Sequence, residues 1–126
     1  MLDRDAIKGI QDIRVEKVDV PEWGGEVYVK SLSGSQRDEW ENGIVVSGGK
    51  MDVRGVMVRL VIMTACDETG KPVFKRGDET WLNEKSSKAL TRLADKAREL
   101  AGLTQKDIEV LAKNSETDPS ANSGSN

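Results

Sequence analysis

Residue types that carry acid–base, nucleophilic or metal chemistry are scarce in this sequence. The 126-residue chain contains no histidine and one cysteine, Cys66. Histidine is the commonest general base and transition-metal ligand, so its absence excludes Ser-His-Asp and Cys-His machinery and leaves a zinc site to depend on carboxylates almost alone. A single cysteine also excludes a disulfide within the chain and is typical of a reducing cytosol. We therefore expect no catalytic, cofactor-binding or metal-binding residues, and no cofactor.

Two loops carry partial matches to ligand-binding motifs, and both lack residues that the motif requires. The segment 67–78 has the length and acidic start of a calcium loop, but Pro72 stands where glycine is needed and Asp78 where a glutamate closes the site. Gly49-Lys50 and Gly70-Lys71 resemble the end of a phosphate-binding loop, but the upstream glycine and the following Ser or Thr are missing. Plain turns are the simpler interpretation of both.

The three tryptophans are the side chains that most suggest contact with another macromolecule. Trp23 lies at the tip of a predicted hairpin beside two glycines, Trp40 lies on a predicted helix, and Trp81 follows a charged loop. Core packing is the simplest interpretation of each, but aromatic side chains on exposed loops are frequent anchors for partners. We take Trp23, Trp40 and Trp81 as candidate partner contacts, with Trp23 first.

The charges of the chain are numerous but balanced. Charged residues make up 33% of the sequence, with 19 basic and 22 acidic side chains and a net charge of −3. No basic stripe or tail is visible, which argues against nucleic-acid binding through phosphate neutralisation. No apolar run approaches the roughly 18 residues of a membrane span, and the charged N-terminus lacks the apolar segment of a signal peptide. Composition therefore favours a binding or assembly role over an enzyme, without nucleic acid or membrane as partners.

Two segments near the N-terminus alternate apolar and polar residues, as β-strands do. They span 13–20 and 26–32, and between them Pro21 and Gly24-Gly25 are strong turn signals. The alternation slips by one residue at Lys17, which predicts a bulge or a twist within the strand. We expect an antiparallel hairpin here.

Helical spacing and capping signals dominate the rest of the chain. Ser33 and Gln36 have the spacing of a capping box, and Gly102 stands where a helix would end. The segment 53–66 is ambiguous, because its Val, Ile and Thr content favours a strand, whereas its length and the spacing of its apolar residues favour a helix. Helices are predicted at 2–10, 34–46, 53–66, 84–101 and 105–113, with a short helical turn at Trp81 and Leu82.

These elements predict an α+β fold made of one small domain. An N-terminal β-hairpin would pack with about four to five helices over residues 1–113. Residues 114–126 differ in character, because Ala121 is the only apolar residue there apart from Pro119. Such a segment cannot bury enough surface to offset its ordering entropy, so we predict a disordered C-terminal tail.

Several runs of sequence carry a resemblance to a known family. The most specific is VDVPEWGGEVYVK at 18–30, and the looser ones are LSG at 32–34, RD at 37–38, DETGKPVF at 67–74, LNEKSS at 82–87 and LTQKDI at 103–108. In order and spacing they resemble the tail assembly chaperones of long-tailed, siphovirus-type bacteriophages and prophages, over roughly residues 1–114. The resemblance implies a small α+β protein without enzymatic activity, which is made in the host bacterial cytoplasm during tail morphogenesis and is absent from the mature virion.

The resemblance also implies a mechanism and its partners. The phage tape measure protein is long, helical and apolar, and it would aggregate before the tail tube polymerises around it. Chaperone copies would coat it through many weak contacts, with weak self-association along the chain, until tail tube protein displaces them. The alternative is a structural head–tail connector or another minor virion component, which would persist in the particle.

A second product is a further implication of the resemblance. The family commonly makes a longer form by −1 ribosomal frameshifting near the end of the first frame. The residues Ala112-Lys113-Asn114 can be encoded as GCA AAA AAC, which contains the slippery heptamer A AAA AAC, and they fall at the predicted boundary between domain and tail. The plain alternative, that these residues merely end the last helix, stays open at the level of the protein sequence.

Overall fold

A computed structural model describes residues 1–44 and 55–103 and has the predicted α+β fold. Its three strands form one antiparallel sheet in the order β1-β2-β3. The strands are β1 (Val15–Val20), β2 (Gly25–Lys30) and β3 (Ala65–Cys66), and the helices are α1 (Arg4–Lys8), α2 (Gly34–Ile44), α3 (Val56–Thr64), α4 (Glu79–Leu82) and α5 (Ser87–Ala101). The predicted helix at 105–113, the predicted tail at 114–126 and the proposed frameshift position lie outside the described residues.

The hairpin forms without the bulge that the sequence predicted at Lys17. The β1–β2 register is unbroken along both strands. The alternation slips in the sequence because Glu16, and not an apolar residue, takes the first inward-facing position of β1. Its carboxylate lies 3.4 Å from the Lys96 ammonium on α5. An ion pair to the neighbouring helix thus replaces an apolar contact at the margin of the sheet.

The helix ends follow the local signals in the sequence. The capping box that begins α2 is formed, with the Ser33 hydroxyl accepting from the Gln36 N–H at 3.3 Å and the Gln36 side chain accepting from the Ser33 N–H at 3.0 Å. Ser86 caps α5, so this helix begins three residues later than the predicted residue 84. Gly102 ends it in the left-handed region, at a φ of 73° that favours glycine.

The ambiguous segment at 53–66 combines a helix and a strand. Its described part is helical over α3, and then the chain extends at Ala65 (ψ 131°) into the short strand β3. The Thr64 hydroxyl donates a 2.7 Å bond to the Leu60 carbonyl, so its polar group is satisfied inside the helix. The predicted helix is therefore confirmed for α3, and its predicted end at residue 66 is corrected.

The core lies between the hairpin, α3 and α5. Alternation places Val18 and Val20 of β1 on the same face as Val27 and Val29 of β2, and α5 covers that face. One face of α5 forms a buried apolar stripe, whose members are Ala89, Leu90, Leu93, Ala94 and Ala97. Among the described helices, none is long and apolar enough to cross a membrane.

Candidate functional site

Trp40, one of the three tryptophans predicted to contact a partner, lies in the core. It is 2% exposed, and its indole N–H donates a 3.1 Å hydrogen bond to the Val56 carbonyl at the start of α3. An enclosed indole whose N–H is satisfied has very little free surface of its own. Core packing, the simpler of the two interpretations, therefore describes Trp40, which joins α2 to α3.

Trp23 is half-buried, because the hairpin tip is fixed against α5 and is not a free loop. The tip forms a short 3-10 turn that ends at Gly24 with a φ of 72°, and Trp23 packs against the core. Beside it, the Glu22 carboxylate accepts two hydrogen bonds from the Arg92 guanidinium, at 2.9 and 3.1 Å. These bonds hold the pKa of Glu22 below its ordinary value. Trp23 is thus only partly available to a partner.

Trp81 is the exposed tryptophan, with 46% of its surface open to solvent. It lies on α4, whose other large apolar residue, Leu82, is fully buried. The Trp81 ring meets Phe74 edge to face, with 6.0 Å between centroids, and the Lys85 ammonium lies 5.9 Å from its centroid. The backbone N–H of Lys75 and the Trp81 indole hold the pKa of Asp78 below its ordinary value. Trp81 is therefore both exposed and fixed in place.

A groove of about 540 Å³ lies next to this aromatic pair. Its walls come from α2, from α3 and from the loop that precedes α4, and Phe74 belongs both to the groove and to the contact with Trp81. The apolar side chains that line it are Trp40, Ile62, Met63, Pro72 and Phe74. Ile62, Met63 and Phe74 are half-buried, so the groove offers apolar surface that the domain itself does not cover.

Charged side chains of both signs line the rim of the groove. Arg76 pairs with Glu39 across the gap between the pre-α4 loop and α2. On the other side, the Arg59 guanidinium lies 3.5 Å from the Glu79 carboxylate and donates a 2.8 Å bond to the Gly43 carbonyl. The arginines of the rim therefore join α2, α3 and the segment around α4, and the apolar side chains of the groove stay uncovered.

Sequence reasoning named Trp81 but missed the groove. The groove is built from segments that lie far apart in the chain, so no local spacing marks it. One signal was available: Pro72, Val73 and Phe74 form a short apolar run directly after a polar turn, and Val73 is 50% exposed.

The structure also leaves the apolar residues of the N-terminal segment exposed, and α1 buries none of its residues. These exposed residues are Leu2, Ile7, Ile10 and Ile13.

The 67–78 loop is organised by its own aspartate. The Asp67 carboxylate accepts hydrogen bonds from the Thr69 hydroxyl at 2.6 Å, the Thr69 N–H at 2.9 Å and the Lys71 N–H at 3.0 Å. These bonds, led by the Thr69 hydroxyl, hold the pKa of Asp67 below its ordinary value. Across residues 1–44 and 55–103, no three Asp, Glu or Cys side chains are grouped as metal ligands would be. The aspartate thus shapes a turn.

Cys66, the only cysteine of the chain, is a core residue. It lies in β3 opposite Tyr28 of β2 and is 1% exposed. Burial raises the pKa of its thiol, which disfavours the reactive thiolate. The side chain therefore acts as a small apolar group.

Comparison with known proteins gives the family of the chain. No curated protein matches the sequence. A solved structure, that of the bacteriophage HK97 tail assembly chaperone, is 29% identical and superposes with a TM-score of 0.55, over 70% of this chain and 85% of the HK97 chain. The family described as phage tail assembly chaperone matches residues 4–118. The resemblance read from the sequence is thereby confirmed, and this chain belongs to the phage tail assembly chaperone family.

Proposed function

We propose that this tail assembly chaperone binds the cognate tape measure protein and keeps it soluble until tail tube protein displaces it. The main support for this proposal is that the chain belongs to the phage tail assembly chaperone family. The protein does so without catalysis, in the host bacterial cytoplasm, and it is absent from the mature virion.

The surface of the domain suits a coat that must later leave. A long apolar helix exposes more surface than any one small domain covers, so several copies bind along it, and weak self-association adds to their avidity. Single contacts must stay weak enough for tail tube subunits to replace them. The exposed apolar side chains are spread over α4, the loop before it and the N-terminal segment, which fits several modest contacts. A net charge of −3 per copy helps to keep the coated filament in solution.

Co-expression tests the proposal directly. We expect the tape measure protein to be soluble when this chain is produced with it and to aggregate when it is produced alone. Mass spectrometry of purified virions then separates the two functional classes, since a chaperone is missing from the particle and a connector or minor structural component remains in it. A tape measure protein that stays insoluble, together with recovery of this chain from virions, would establish the structural role instead.

We propose in addition that the gene yields a longer product through −1 frameshifting at Ala112-Lys113-Asn114. The support is the family, together with three residues that can be encoded by codons containing a slippery heptamer. Synonymous recoding of the heptamer leaves this protein sequence unchanged. We expect recoding to abolish the longer product on an immunoblot, and a longer product that persists would place its origin elsewhere.

A further inference from the structure

We infer that the Trp81–Phe74 pair and the adjoining groove form the surface on which an amphipathic helix of the tape measure protein docks. This inference rests on the proposed function and adds the place on the chain where the contact is made. The docking helix presents an aliphatic stripe, with charges of both signs along its flanks.

The aromatic pair has the properties of a preformed anchor. Leu82, buried at 0% exposure, fixes α4 to the core, and Phe74 supports one edge of the Trp81 ring. Binding therefore does not have to order the indole first, and this lowers the entropic cost of association. Such rigid, half-exposed aromatic side chains are enriched among the residues that dominate binding energy.

The groove beside the anchor suits the side chains of a helix. Its volume of about 540 Å³ is in the range of small-ligand pockets, so it accommodates a few aliphatic side chains and not a whole helix. A helix lying across it would insert residues spaced by three, four or seven positions. Met63 lines the groove and is half-buried, and the flexible thioether of methionine adapts to apolar groups of different shape.

The rim supplies complementary charge for the flanks of such a helix. Arg76 and Glu39 are 88% and 52% exposed in their side chains, and an ion pair this exposed contributes little to folding. Either side chain can therefore leave this pair and form an ion pair with a charge on a partner at small cost. An amphipathic helix carries charges of both signs beside its apolar stripe, so it matches a rim of both signs better than a uniformly basic or acidic segment does.

Within residues 1–44 and 55–103, the N-terminal segment also exposes apolar side chains, but its helix is not fixed to the core. Ile7 on α1 is 56% exposed, but α1 buries no residue of its own. The exposed residues there have no buried neighbour on the same helix to fix them in place. We therefore assign the docking role to the groove and use the N-terminal segment as a control.

Binding of tape measure segments tests the assignment. Overlapping segments of the cognate tape measure protein, each carried on a soluble fusion partner, serve as probes for the full chain. For the segments that the unmodified chain binds, we expect Trp81→Ala to weaken binding by about 30-fold or more, the loss typical of an aromatic anchor. Ile7→Ala truncates an apolar side chain of similar exposure, and we expect it to bind within about twofold of the unmodified chain.

A second variant keeps the test independent of folding. Trp81→Ala removes the ring partner of Phe74, so its melting curve must be compared with that of the unmodified chain. Arg76→Glu changes a side chain that is 88% exposed, and it places a like charge beside Glu39 without disturbing the core. We expect slower association and a weaker dependence of binding on salt, because an attractive charge is lost from the rim.

The outcomes separate this inference from the proposed function. If the unmodified chain binds tape measure segments and both variants bind them equally well, the docking surface lies elsewhere and the chaperone role stands. If the unmodified chain binds no segment, the proposed function fails, and the inference fails with it. If Trp81→Ala instead weakens self-association in sedimentation and leaves segment binding unchanged, the occupant of the groove is a second copy of this chain, and the inference is overturned.

Discussion

The interface between the hairpin and α5 differs sharply from the groove bounded by α2, α3 and the loop before α4. At the hairpin, Val20, Val29 and Leu93 are all fully buried. Ion pairs join separate elements in both regions, as Arg92 does with Glu22 at the hairpin. At the groove, apolar side chains remain half-buried and the arginines lie on the rim. The same residue types thus serve stability in one region and leave a surface available in the other.

Because of this difference, variants at the hairpin interface should report on folding, and variants at the groove should report on binding. Truncation at the hairpin interface leaves a cavity that its packed neighbours cannot fill, so stability falls. Changes at the groove remove surface that is already in contact with water, so stability changes little and partner binding changes more. The comparison holds only if the two classes of variant separate in this way.

The largest expected effect is that of Leu93→Ala, in the centre of the buried stripe of α5. Leu93 is 0% exposed, and such truncations cost about 2–5 kcal/mol of unfolding free energy. Leu2→Ala is the matched control, because Leu2 is 61% exposed and its change should stay within about 0.5 kcal/mol. Urea unfolding measures both. Equal effects of the two variants would show that α5 does not pack on the hairpin as described.

Trp40→Phe against Trp81→Phe is the next comparison, since it applies one substitution to both kinds of environment. Trp40→Phe removes the bond to the Val56 carbonyl and leaves a cavity where the larger indole ring packed, at a cost of about 1–3 kcal/mol. Trp81→Phe keeps an aromatic ring at a site that is 46% exposed, so its cost should be smaller. Urea unfolding of the two variants is the measurement, and a larger loss for Trp81→Phe would contradict the placement of Trp40.

The sequence predicts the hairpin and α5 well because their signals are local. Alternation, the turn at Pro21, the capping box at Ser33 and the glycine at 102 each act within a few residues, and the structure contains all of them. Of the two features predicted at Lys17, a bulge or a twist, the bulge is absent. The pattern is broken by a charged residue on the inward face, Glu16, whose partner on α5 is distant in sequence. Local patterns therefore predict where strands and helices lie more reliably than they predict which side chains face the core.

The candidate site depends on long-range packing, which explains why only part of it could be predicted. Trp40 and Trp81 both follow polar segments and resemble each other in sequence, yet one is enclosed by α3 and the other lies open beside Phe74. Which face of α2 meets α3 is decided by the whole core and not by the neighbours of Trp40. The groove has the same origin, since its walls come from three separate segments.

A pH titration probes the charged part of the hairpin interface. The pKa of Glu22 is lowered in the folded state, chiefly by its hydrogen bonds with Arg92. The unfolded state therefore takes up the proton first as pH falls, so the stabilisation from this pair is present above the ordinary glutamate pKa of 4.5 and is lost as pH falls below it. Glu22→Gln should be less stable than the unmodified chain at neutral pH, with the gap closing in acid. Glu84→Gln, at an exposed glutamate in the turn before α5, controls for charge, and a gap independent of pH would contradict the role of the pair.

The smallest expected effect concerns the rim pair of the groove, Arg76 and Glu39. Their side chains are 88% and 52% exposed, so water screens the attraction and ordering two long side chains offsets most of what remains. A double-mutant cycle with Arg76→Ala and Glu39→Ala should therefore give a coupling within about 0.5 kcal/mol of zero. The same cycle on Arg92 and Glu22, whose side chains are 45% and 20% exposed, should give the larger coupling, because two hydrogen bonds hold that pair. Urea unfolding at low and high salt measures both cycles. If the rim pair couples more strongly than the hairpin pair, then the rim contributes to the fold, and its charges are not free to turn toward a partner.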